Sequence, residues 1–221
     1  MSGSIERRFF EVPRKNPHLK EFRYYLSIKR GLAKHELRSL ENEKFRISKL
    51  RRLELSFGLS SGWSLFNGEK DLDTELFLNG LAHCLYLAEL KFRVFKYKFT
   101  LEDVLNLTEK LLCLPNLTHF SMEFLNCRVG DLETVSLVYG LSKLCHLKSL
   151  HFKIINQHLL SEQATLHIIG VLIRIRNLEN INFFLSRKSL SQEIIQNIIR
   201  LLKERSDITY SFTKKCISLS K

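Results

Sequence analysis

The chain has 221 residues, 44% of them hydrophobic, and a formal net charge of +12. That is long enough for one sizeable domain or one repeat array. No run approaches the roughly 20 apolar residues of a membrane span, since the most apolar stretch, 164–175, is short and carries His167 and Arg174.

The charged opening, MSGSIERRFFEVPRK, has none of the apolar centre of a signal peptide. Five cysteines, with no C-x-x-C pair among them, argue against a zinc site and against a secreted disulfide framework. They are expected to be buried, reduced thiols, with Cys84, Cys113 and Cys145 each near a helix end. An intracellular, cytoplasmic location is expected, with the nucleus left open. Asn106-Leu-Thr and Asn116-Leu-Thr match the glycosylation sequon and, without a leader, are taken as chance matches.

Along the chain, residues 1–18 contain Ile5, Phe9, Phe10 and Val12 and read either as an N-terminal cap or as the end of an upstream repeat. Residues 1–52 hold fifteen Lys/Arg against six Asp/Glu, a net +9, which leaves +3 for the remainder. Such a patch attracts polyanions or is simply solvated. From Leu19 a template recurs. LKEFRYYL (Leu19), LRRLELSF (Leu50), LAELKFRV (Leu87), LTHFSMEF (Leu117), LKSLHFKI (Leu147) and LENINFFL (Leu178) are all apolar at positions 1, 4, 6 and 8. Their starts lie 31, 37, 30, 30 and 31 residues apart. Alternation at positions 4, 6 and 8 predicts a strand with one buried face.

A further apolar residue follows at position 13 in Phe99, Val129, Leu159 and Leu190, and then a helix begins. Thr100, Asp131, Ser161 and Ser191 stand where N-caps belong, because short oxygen-bearing side chains accept the free N–H groups of a first turn. Helical spacing continues in Val135, Val138, Leu141 and Cys145, and in Ile195, Ile198, Ile199 and Leu202. The segment ITYSFT, with Ile208, Tyr210 and Phe212 alternating, reads as a partial seventh copy, and 213–221 as a C-terminal tail.

One strand–loop–helix unit cannot bury both of its apolar faces, whereas stacked units cover each other. The expected fold class is therefore α/β, a solenoid of about six repeats over residues 19–212. Its strands pair in parallel on the concave side and its helices lie on the convex side.

The template L-x-x-L-x-L-x-L, followed by an Asn, an apolar residue and a helix about every 30 residues, resembles the leucine-rich repeat, in its ribonuclease-inhibitor-like variety. The resemblance implies a horseshoe and a binding function without catalysis or cofactor. The family's Asn, which bonds the backbone of the bend, is matched by Asn126 and Asn156 only; Ile28, Leu59, Lys96 and Arg187 hold that place elsewhere.

No nucleophile elbow, phosphate loop or H-E-x-x-H pattern is present, so no enzyme is expected. His119 and His151 sit on exposed strand positions of neighbouring units, with Glu123 as the single companion, too little for a metal site.

The concave face is the candidate site. Its exposed positions include Arg23, Tyr25, Lys91, Arg93, Phe95, His119, Glu123, His151, Lys153 and Phe184, with a basic tilt to which Lys148 adds. Tyr and Arg are favoured interface anchors; cations with aromatics also suit single-stranded nucleic acid. The long second unit carries its surplus in 58–73, which holds the single tryptophan, Trp63, and Phe66. Trp63 is either a partner anchor or a core plug. Replacing it with Ala separates these: lost stability marks a plug, lost binding at unchanged stability an anchor. The expected function is a scaffold binding another protein through the concave face and this loop. The alternative is an RNA-binding component of a ribonucleoprotein, acting through the basic N-terminal portion.

Overall fold

The computed structural model describes residues 20–28, 50–59, 81, 84–155, 160–175, 177–185, 190–203, 209–213 and 216–220. The sheet strands are β1 (Glu21–Ile28), β2 (Arg52–Leu59), β3 (Glu89–Phe95), β4 (His119–Leu125), β5 (Ser149–Ile155), β6 (Asn180–Leu185), β7 (Thr209–Thr213) and β8 (Cys216–Ser220). Among the described residues four helices alternate with them: α1 (Leu101–Leu112), α2 (Asp131–Leu141), α3 (Glu162–Leu172) and α4 (Gln192–Lys203). The N-terminal segment 1–18, Trp63, Phe66, Leu159, Asn156 and Arg187 lie outside the described residues.

Strands β1 to β6 follow one another in a single sheet, and each pairs in parallel with the next. The register is that of the sequence template. Phe22, Leu53, Leu90, Phe120, Leu150 and Ile181 run straight across the sheet, and Tyr24, Leu55, Phe92, Met122, Phe152 and Phe183 form the next line. The surplus of the 37-residue unit is absorbed without a slip, since Leu53 still meets Leu90.

A second regularity repeats with the same period. One carbonyl before each strand accepts two N–H groups of the following unit: Lys20 from Arg51 and Arg52, Arg51 from Ala88 and Glu89, Ala88 from Thr118 and His119, Thr118 from Lys148 and Ser149, and Lys148 from Glu179 and Asn180, all between 2.7 and 3.0 Å. These bonds satisfy backbone groups that a strand start would otherwise leave open.

Alternation buries one face of each strand. In β3 and β5 every second residue is buried and the others are half-buried. The buried set joins the helices in one core, with Phe120, Phe124, Phe152 and Phe183 nearly sealed from solvent. Phe99, Phe124, Phe152 and Phe183 form a ladder through this core, with successive ring centroids 5.1, 5.9 and 5.8 Å apart. Such pairs add to the burial term. The helices neighbour one another in the order α1, α2, α3, α4.

The helix starts explain their own ends. Thr100 caps α1, its hydroxyl accepting from the Asp103 N–H at 3.3 Å while the Asp103 carboxylate accepts from the Thr100 N–H at 2.8 Å. Ser161 caps α3 through the Ala164 N–H at 3.1 Å, and the Ser191 hydroxyl accepts from the Ile194 N–H at 3.4 Å. Asp131, expected as a cap, is instead the first residue of α2, and Gly130 occupies the cap. The Asp131 carboxylate serves the next unit, accepting the Ser161 N–H at 3.0 Å. One unit later Glu162 does the same for Ser191, accepting its N–H at 2.7 Å and its hydroxyl at 2.8 Å.

Other expectations change. Cys84 and Cys127 are buried, but Cys113 and Cys145 are exposed, and Cys145 lies beyond the end of α2 rather than on its apolar face. Asn126 is exposed and left-handed at φ 55°, as Lys96 is at φ 51° in the preceding unit. A buried thiol works at that bend: Cys127 donates to the Val94 carbonyl at 3.0 Å, and burial pushes its pKa up to about 11. The apolar residue before the α3 cap is Leu160, which is buried. The stretch 213–221 is not a plain tail, because β8 lies within it. That strand separates β6 from β7 and runs antiparallel to both, so ITYSFT is the edge of a closing hairpin and not a seventh parallel copy.

Candidate binding face

Residues that alternate with the core positions form rows across the other, open side of the sheet. The row at template position 3 contains Glu21, Arg52, Glu89, His119, Ser149 and Asn180. Here Arg52 is held between two carboxylates, 3.0 Å from Glu21 and 2.9 Å from Glu89, and hydrogen bonding to Glu89 raises the guanidinium pKa further.

The next two rows carry most of the predicted residues. In register order they are Arg23, Glu54, Lys91, Ser121, His151, Asn182 and Tyr25, Ser56, Arg93, Glu123, Lys153, Phe184. Arg23 and Tyr25 are placed by the backbone pairing of β1 beside Glu54 and Ser56.

A diagonal ion network ties β2, β3 and β4 together. Arg93 donates to Glu54 at 2.7 Å, and its Nε lies 3.4 Å from Glu123. Lys91 reaches the same Glu123 oxygen at 3.4 Å. Glu123 is buried, at 8% exposure, the least exposed charge among the described residues of the face. Burial pushes its carboxyl pKa up, but Arg93 and Lys91 outweigh that and hold it below the ordinary 4.5. His151 on β5 is half-buried; burial holds its pKa below 6.5, Glu123 opposes this, and Lys91, Lys153 and Arg93 reinforce it. Lys153 lies 5.6 Å over the ring of Phe184, a cation–π contact.

Between the first two rows lies an open groove of about 290 Å³, lined by Arg52, Glu54, Glu89, Lys91, His119, Ser121, Ser149 and His151 among others. His119 is exposed and bonded to the Thr118 hydroxyl at 2.9 Å. It faces Ser149 whereas His151 faces Ser121, so the two imidazoles stand one row apart. Among the described residues no group of three metal-ligating side chains gathers.

Three cations of the predicted basic tilt are paired with carboxylates. Lys91 and Arg93 are paired as above, and Lys148 lies 3.2 Å from Glu179. Sequence reasoning missed these partners, although the rows read from the template place Glu54 beside Lys91 at position 5 and Glu123 beside Arg93 at position 7. It also missed Leu125 and Ile155, which lie in register with Phe95 at position 9 and make a half-buried apolar margin on the open face.

Asn116 of the second sequon is structural: its side-chain amide donates to the Leu85 carbonyl at 2.8 Å, and Thr118 donates to Ala88 at 3.2 Å. Asn177 repeats the first contact on Cys145. Among the described residues no helix is long and apolar enough to cross a membrane. No family model and no curated protein matches the chain.

Proposed function

We propose that the chain is a leucine-rich-repeat-type solenoid of about six units that works as a non-enzymatic scaffold, holding a protein partner against the open face of its sheet. Because a helix is wider than a strand, the row of units bends with this face on the inside; residues 60–73 of the 58–73 stretch, expected to add to the contact, lie outside the described residues. The observation that carries the reading is the preorganised face. Glu54, Arg93, Glu123 and Lys91 are fixed by one another, so a partner meets side chains whose ordering cost has already been met on folding. Of the basic N-terminal portion on which the RNA alternative rests, one cation, Arg52, is clasped by two carboxylates and so less open to phosphate.

Affinity capture from native extract tests the reading. The partner should survive nuclease treatment and salt of about 0.5 M, since phosphate contacts weaken steeply with salt. Loss of every captured protein on nuclease treatment would transfer the function to the ribonucleoprotein alternative.

A further inference from the structure

Resting on that reading of the face, we propose that its margin at the C-terminal ends of the strands takes a linear peptide segment combining acidic with large apolar side chains. Phe95, Leu125 and Ile155 are consecutive neighbours across β3, β4 and β5. They alternate with the core residues Val94, Phe124 and Ile154, so they lie on the open side, and each remains half-exposed. Parallel strands are spaced by about 4.8 Å, so the three make one continuous apolar strip across the units. Phe184 continues it on β6, one row inward.

The exposed charges at the bend beside this strip are basic. Lys96 directly follows Phe95 at the left-handed bend and is exposed, as is Lys98. Lys153 contacts an aromatic ring, not a carboxylate. The nearby acids are occupied. Glu54 and Glu123 bind Arg93 and Lys91. At the helix starts, Asp103, Asp131, Glu133 and Glu162 accept backbone or hydroxyl groups of caps. The fitting ligand therefore brings the carboxylates that these lysines lack among the described residues, together with side chains that cover the strip. Nucleic acid fits less well: most aromatic rings of the described strand residues lie in the core, which leaves few ring faces for bases to stack on.

A displayed library of random peptides, each about a dozen residues long, selected on the full chain, tests this. The enriched sequences should be net acidic with two or more Leu, Ile or Phe. Their binding should fall by about tenfold in a Lys98→Glu/Lys153→Glu variant, where like charges now meet, and by a similar factor in Leu125→Glu. It should also weaken several-fold between about 50 and 300 mM salt. Lys98 is exposed and Lys153 half-buried over the Phe184 ring, so circular dichroism checks the fold of the double variant, and Lys98→Glu alone stays informative where the other variants fail to fold. Enrichment of basic or neutral peptides, no enrichment, or tighter binding of a uridine oligonucleotide than of any peptide would overturn the proposal. If the acidic peptides are lost on substitution of Leu132, on the outer side of α2, and not on substitution of the open face, it is the reading of the face itself that fails.

Discussion

Replacing Glu123 with Gln removes the charge at the centre of the face and keeps its shape. Glu123 Oε1 is 3.4 Å from both Lys91 Nζ and Arg93 Nε, and the side chains of these cations are 33% and 29% exposed. Hydrogen bonds to charged groups are worth about 1.5–3 kcal/mol when well formed, and exposed pairs about 0–1 kcal/mol. Long contacts to partly wet cations fall between, and the variant also escapes the cost of burying a carboxylate. The expected loss is about 1–2 kcal/mol, a fall in Tm of roughly 3–6 °C for a domain of this size. Arg93 keeps Glu54 at 2.7 Å, so the loss should not grow beyond that. Urea denaturation measures the loss. Titration of His151 by NMR adds a second reading: without the carboxylate that raises it, the imidazole pKa should fall below its value in the parent chain. Unchanged or increased stability together with an unchanged His151 titration would mean that the carboxylate is solvated and not part of a fixed network.

Gly140 in α2 faces Thr108 of α1, and a Cβ built on it would lie 2.1 Å from the Thr108 methyl carbon. Helix propensity favours Gly140→Ala by about 1 kcal/mol, but overpacking costs about 1–3 kcal/mol. Net destabilisation is expected by urea denaturation, with partial rescue when Thr108→Ala is added; a more stable single variant would refute the close helix contact. Stability should also fall with acid in two stages. His151 has its folded pKa below 6.5, so as pH falls through that value the unfolded chain takes up the proton first and the folded state loses ground. The Glu123 contribution is present above 4.5 and is lost as pH drops through its depressed folded value. His151→Gln should flatten the upper stage of the urea midpoint against pH and leave the lower one; an identical profile would remove His151 as its cause.

The strands were readable because burial on one face of a strand has a period of two, and Phe120, Met122 and Phe124 leave no other phase in which the apolar residues are covered. Their register was readable too, since the same three positions recur in every unit and any slip would turn them outward. The closing hairpin was not read. Cys216–Ser220 is five residues long, and its direction is signalled only by the two residues separating it from β7, too few for a parallel crossover.

Asp131 was misread because a carboxylate beside a helix start suits a cap; Gly130 took the cap, and the carboxylate was used by a residue 30 positions later. The same distance hid the ion network of the face. Arg93 and Glu54 are 39 residues apart, and their contact runs diagonally between two rows. The template aligns strands but does not say which side chains lean toward each other. Cys113 and Cys145 were expected inside because each ends a helical pattern, but both fall where the chain turns at the surface.

A bulky plug in the open face is the most direct trial of the account. Ser121 sits half-exposed in the middle of β4, and Leu132 is 61% exposed at the start of α2. The dissociation constant of the captured protein should rise by about tenfold or more with Ser121→Trp and stay within about twofold with Leu132→Trp, the folds of both variants being checked by circular dichroism. A partner that tolerates Ser121→Trp and is displaced by Leu132→Trp would put the binding surface on the helices and contradict the account.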